Sequence, residues 1–71
     1  MSQFKKTKQE IGIDFLIWRR TRKMSQGEAA ELFGVVRQTI ASWEQGHVPT
    51  DIYERWQQVD LYLKEIHARA A

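Results

Sequence analysis

The sequence predicts a small all-α domain, and three observations predict it. The spacing Ser/Thr/Asp-x-x-Glu, which lets two side chains cap a first helical turn, occurs at Thr7–Glu10, Ser25–Glu28 and Asp51–Glu54. Each box is followed by apolar residues at three- and four-residue steps, the period of one helix face. Between these stretches Gly34, Gly46 and Pro49 stand where a helix has to stop.

At 71 residues the chain is a single domain, near the lower limit for a core that stands without staples. It has no Cys, which excludes disulfides and the usual thiolate zinc sites. His47 and His67 are far apart in sequence with no ligand-spaced partner, so neither metal nor other cofactor is expected. The longest apolar run, Phe15 to Trp18, is too short to cross a bilayer. The lysines near the N-terminus precede no apolar signal core, so a cytoplasmic location is expected. The net charge of +2 is unevenly spread: +5 over residues 1–23, −2 over 24–49 and −1 over 50–71. One basic end beside a near-neutral remainder is the footprint of a polyanion binder, or else of a soluble tail and a solvated helix end.

Taken in order, residues 1–7 lack periodicity and read as a basic flexible arm, with Lys5 and Lys6 placed to follow a phosphate backbone. The domain proper is 8–71. Its first helix begins near Lys8, with Ile11, Phe15 and Trp18 as its inner stripe. Ile13, Leu16 and Ile17 widen that stripe and predict packing against more than the next two helices. Arg19, Arg20, Arg22 and Lys23 fall in the last turn, where cations complement the helix dipole. The second helix starts at the Ser25 box, turns Ala29, Leu32 and Phe33 to one face, and closes at Gly34. The third runs from about Val36 to Glu44 and buries Ile40 and Trp43, while Arg37, Gln38, Ala41 and Ser42 share its other face. Ile40, Trp43, Phe33, Leu32 and Trp56 are the expected core. After Gly46 and Pro49, Thr50 or Asp51 caps one continuous helix over about 51–68, with Ile52, Trp56, Val59, Leu63 and Ile66 in a heptad stripe. Tyr53, Leu61 and Tyr62 lie off it and predict an exposed apolar patch suited to self-association, unless they pack on the first helix.

The third helix carries the functional reading. A merely solvated face would more often hold Glu and Lys, whereas Arg and Gln beside small residues suit base edges in a DNA major groove. Ser25 and Ser42 have no His or carboxylate set to activate them, so no enzyme is expected.

Residues 15–49 resemble the lambda-repressor-like helix-turn-helix domains, the Cro/C1 or XRE type. The resemblance rests on Arg19, Ser25-Gln26, Glu28, Ala30, Gly34-Val35, Ile40, Trp43-Glu44, Gly46 and Pro49, all in register, and covers about half the chain. It implies a compact domain of four to five helices, with the helix-turn-helix proper at about 25–45 and the last helix as a dimerisation element. By position it implies base contacts from Val36, Arg37, Gln38, Ala41 and Ser42. Phosphate contacts would come from Gln26, Thr39, Gln45 and His47, joined by Arg22, Lys23, Lys5 and Lys6. Arg19 and Glu44 match an ion pair between the first and third helices, and Tyr53, Leu61 and Tyr62 would form the dimer interface.

Three departures stand out. Val36 replaces the usual Ser or Thr cap of the third helix, a loss of about 0.5–2 kcal/mol, unless it meets a thymine methyl instead. Gly27 weakens the second helix slightly. The last helix is unbroken where the family breaks it in two. The implied function is a homodimeric, sequence-specific repressor or autoregulator, phage- or bacterium-encoded, of the Cro or anti-CRISPR-associated kind. It would bind a palindromic double-stranded operator and block transcription, with no small-molecule effector. The alternative is an antitoxin that binds a toxin partner and its own promoter.

Overall fold

A computed structural model describes residues 6–70; Lys5, expected to contact phosphate, lies outside them. Among the described residues four helices follow one another: α1 (Lys8–Thr21), α2 (Gln26–Phe33), α3 (Arg37–Glu44) and α4 (Ile52–Ala70). The number four and the unbroken last helix match the sequence reading, and α4 runs slightly past the expected end.

Local chemistry explains the boundaries. At α1 the Thr7 hydroxyl accepts from the Glu10 N–H (3.2 Å), and the Glu10 carboxylate accepts from the Thr7 N–H (2.8 Å). Ser25 and Glu28 do the same for α2 at 3.0 and 2.8 Å. These hydrogen bonds from Thr7 and Ser25 hold both glutamates below the usual carboxylate range. At the start of α4, Asp51 accepts instead from Arg55 Nε at 3.1 Å.

The C-terminal ends of α1 and α2 are built alike. Met24 N–H reaches back to Arg19 O (3.1 Å), and Val35 N–H to Ala30 O (3.0 Å). Each closure needs one left-handed residue. In α2 that is Gly34 (φ 69°), as its sequence position predicts; in α1 it is Lys23 (φ 56°), a conformation that disfavours a Cβ.

The core is an aromatic cluster. Phe15 is fully buried, with its ring 5.2–5.7 Å from those of Trp18, Phe33, Trp43 and Trp56. Most of these pairs are edge-to-face, the arrangement favoured by ring quadrupoles. Ile11, Ala29, Ala30, Ile40, Val48 and Ile52 complete it. Ile40 and Trp43 are buried as expected and Phe33 and Trp56 are half-buried against the cluster, whereas Leu32, expected in the core, is half-buried beside a surface depression with Glu31 and Tyr62. The expectation that Ile13 and Ile17 widen the buried stripe is not met. Both are exposed, because at about 100° per residue they lie opposite Phe15.

Two contacts fix the helix arrangement. At Gly12, α1 touches the end of α3 backbone to backbone: a Cβ there would stand 2.5 Å from Trp43 O and 3.0 Å from both Glu44 O and Gly46 N. The second contact is a polar clasp between α1 and α4. Asp60 accepts from Arg22 (2.6 Å) and from the Trp18 indole N–H (3.3 Å), and pairs with Lys64 at 3.2 Å. The Arg22 guanidinium also lies over the Trp18 ring, 5.4 Å from its centroid.

α4 is about 28 Å long in a molecule measuring 39 × 30 × 19 Å. Its stripe is buried at Ile52 and Val59, half-buried at Leu63 and exposed by Ile66, so the last turns extend past the body.

Two outcomes follow from these contacts. Gly→Ala in an ordinary helix stabilises by about 0.8–1.0 kcal/mol. Gly12→Ala is expected to reverse that sign and cost about 1–3 kcal/mol in a urea titration, because rigid backbone meets the new methyl. Partial loss of water raises the Asp60 carboxyl, but the hydrogen bonds from Trp18 and Lys64 and the charges of Lys64 and Arg22 outweigh this and hold it low. A depressed pKa means stability that is present above the unfolded value of about 3.9 and lost as pH falls through the folded one. The thermal midpoint of Asp60→Asn should therefore lie below wild type at neutral pH, with the gap closing in acid.

Candidate nucleic-acid interface

The turn Gly34-Val35-Val36 sets α3 against α2, and the contact at Gly12 sets it against α1. What locks this arrangement is a buried polar network. Arg19, in the last turn of α1, donates from Nε to Glu44 (2.5 Å) and from one terminal nitrogen to Met24 O (2.7 Å). Its other terminal nitrogen lies 3.4 Å from the second Glu44 oxygen. The two side chains are only 10% and 8% exposed. The same Glu44 oxygen accepts from the Gln26 side-chain amide at 3.0 Å, and Gln26 Oε1 in turn faces Arg37 Nε at 3.5 Å. A single chain of contacts thus leads from the interior, through the first residue of α2, to the exposed first residue of α3. No buried side-chain nitrogen or oxygen among the described residues lacks a partner.

The structure brings the expected base-reading residues together. Val36, Arg37, Gln38 and Ser42 are exposed and Ala41 half-buried, all on or at the tip of the α3 surface away from the Phe15 cluster. α3 begins at Arg37, and Val36 provides no side-chain cap. Gln45 and His47 are exposed just beyond α3, with their N–H groups turned back to Ser42 O (3.1 and 3.0 Å). Thr39 is half-buried.

Other expectations change. Gln26, expected on a phosphate, has both ends of its amide engaged by Glu44 and Arg37. Arg22 is held by Asp60 and Trp18 on the α4 side, and Lys6 is paired with Asp14. With Arg19 tied to Glu44, three basic groups of the +5 segment are neutralised within the fold. Lys23 stays exposed.

Tyr53, Leu61 and Tyr62 are all exposed but do not make one patch. The two tyrosines are nine positions apart, which at about 100° per residue puts them on opposite sides of α4. Tyr53 stacks on Trp56 near the start of α1, whereas Tyr62 lines a depression with Glu31 and Leu32 of α2. Tyr62 and Ile66, four apart, do share a face.

Sequence reasoning missed the bridging role of Gln26, the contact at Gly12 and the Asp60 clasp. A glycine between Ile11 and Ile13, in the interior of a helix, was the available signal for a close approach. Nothing local marks Asp60 or the turning of Gln26 toward Glu44.

Among the described residues no helix is long and apolar enough to cross a membrane, and no three metal-ligating side chains are gathered. Glu44→Gln keeps the shape of the network but leaves Arg19 buried without a counter-charge, and is expected to cost about 3–5 kcal/mol by denaturant titration. Removing the exposed Arg69–Glu65 pair by Arg69→Gln should be barely measurable. Comparison of the chain with protein-family models, with curated proteins and with solved structures gives no match.

Proposed function

We propose that this protein is a sequence-specific reader of double-stranded DNA, a small repressor of the lambda-repressor-like helix-turn-helix kind that acts as a homodimer. The observation that carries this reading is the chain Arg19–Glu44–Gln26–Arg37. It leads from buried charges that fix the position of α3 to an exposed arginine at the tip of that helix. An α-helix is about 10–12 Å across and matches a major groove about 12 Å wide. In that groove Arg37 would meet guanine O6 and N7, Gln38 adenine N6 and N7, and Ser42 either edge. Lys23, Gln45 and His47 would flank it on phosphates.

Pairing of two copies supplies the second half-site that so small a reader needs. With Tyr53 on the far side of α4, the face for pairing narrows to Tyr62 and Ile66. Bound at a promoter, such a dimer would act by blocking polymerase.

The test is a selection of bound duplexes from random DNA. A single enriched motif with two-fold symmetry is the expected result; no enrichment overturns the reading. On the selected site, Arg37→Ala should lose about 1–3 kcal/mol of binding and relax preference at one position per half-site. Lys23→Ala should weaken all sequences alike and reduce the salt dependence.

A further inference from the structure

α1 is held on two of its sides. Gly12 rests on the end of α3, and Trp18 and Arg22 meet Asp60 of α4. At about 100° per residue, Gly12 and Trp18 point about 60° to either side of Phe15, which leaves the far side of the helix bare. Within α1, Glu10, Ile13, Ile17 and Arg20 fall within about 40° of the line opposite Phe15. All of them are exposed, the two isoleucines at 53% and 56%. Their steps of three, four and three residues are those of a coiled-coil seam. An acid in the first turn and a base in the last complement the helix dipole, which accounts for Glu10 and Arg20 one at a time. The isoleucines have no such local reason, because branched side chains suit an exposed helix less well than Glu, Lys or Ala.

The order of these residues identifies the occupant. Glu10 and Arg20 stand five positions to either side of Phe15, and Ile13 and Ile17 two positions. Run antiparallel against itself, the stripe sets acid against base at both ends and isoleucine against isoleucine between them. That is the isologous contact of a two-fold pair, in which residue i meets j and j meets i. The ion pairs among the described residues do not involve Arg20. Glu10 spends one carboxylate oxygen on the Thr7 cap and keeps the second for another donor. A membrane surface calls for a row of basic residues beside the apolar ones, and Glu10 and Asp14 stand there instead. We propose that the outer face of α1 is a self-association surface on which a second copy docks antiparallel, Ile13 against Ile17 of the partner subunit and Glu10 against the partner's Arg20. A contact of one helix face belongs with the small, transient interfaces. It lies on a different helix from Tyr62 and Ile66, so a chain that pairs through both faces assembles beyond the dimer. It stands whether or not the chain reads DNA.

Sedimentation equilibrium tests this with the double variant Tyr62→Ser, Ile66→Ser, which removes the α4 face and leaves α1 untouched. That chain should still dimerise reversibly at high concentration. Adding Ile17→Ser should weaken the association about a hundredfold, because a two-fold contact loses the isoleucine twice. The thermal midpoint at low concentration should not change, since Ile17 lies outside the core. Glu10→Arg and Arg20→Glu should each weaken pairing too, because each sets like charges together. An equimolar mixture of the two should restore it, since every Arg in the mixed dimer then faces a Glu. The proposal is overturned if the double variant stays monomeric, if Ile17→Ser associates as before, or if the mixture pairs no better than its components. Glu10→Arg gives up the Thr7 capping box. Should it fail to fold, Ile17→Ser and Arg20→Glu decide the matter alone, and undiminished association of either overturns the proposal.

Discussion

Arg19 and Glu44 make a buried ion pair, and the placement of α1, α2 and α3 depends on it. Taking both charges out of water is costly, and their attraction offsets that cost only if the remaining polar atoms are satisfied too. Here they are: the guanidinium reaches both carboxylate oxygens and Met24 O, and the carboxylate also receives Gln26. The groups involved come from the last turn of α1, the connection to α2, the start of α2 and the end of α3. A shift of any one of these segments would strand a charge. Close approach is a precondition of the pair, and Gly12 provides it by letting α1 rest on the carbonyls at the end of α3. Through Gln26 the same network reaches toward Arg37, whose Nε lies 3.5 Å from the Gln26 carbonyl oxygen at the surface.

The other half of the fold is held by different physics. Aromatic burial around Phe15 is largely non-directional and supplies driving force more than register. Trp56 brings α4 into that cluster, and Asp60 then sets its orientation by taking a hydrogen bond from Trp18 and the charge of Arg22. Beyond Leu63 neither kind of contact is present. Among the described residues the last turns are carried by helical hydrogen bonds and the exposed Arg69–Glu65 pair, and Ile66 remains exposed because the body ends before it.

Much of this was legible in the sequence because it is local. Capping boxes act across three residues, the Gly34 turn within one helix end, and apolar stripes along a single helix, so element number and type follow from Thr7, Ser25, Gly34 and Pro49. The Arg19–Glu44 pair entered by family resemblance, since nothing in the spacing of two residues so far apart announces a contact. What was not legible depends on how helices are rotated against one another. Ile13 and Ile17 look like more core until Phe15 fixes which side of α1 faces inward. Tyr53, Leu61 and Tyr62 look like one patch only while α4 is written as a line. Arg22 counts as free charge until α4 places Asp60 beside it.

Internal ion pairs limit the charge that the chain offers to a polyanion. The basic N-terminal third looks like a strong electrostatic handle, yet Lys6, Arg19 and Arg22 are bound to Asp14, Glu44 and Asp60. Among the described residues Lys8, Arg20, Lys23 and Arg37 remain exposed without an ion-pair partner. Each phosphate neutralised contributes a salt exponent of about −0.9, so one copy can draw only a modest non-specific attraction from them. Weak non-specific binding is no handicap for a reader that must release wrong sites, because specificity is set by the ratio of the two affinities. For the proposed reader, the remainder would have to come from base edges at the tip of α3 and from coupling two copies on one duplex. In the proposed reading the geometry of the tip, on a helix anchored to the interior by Glu44, would matter more than the net charge of the chain.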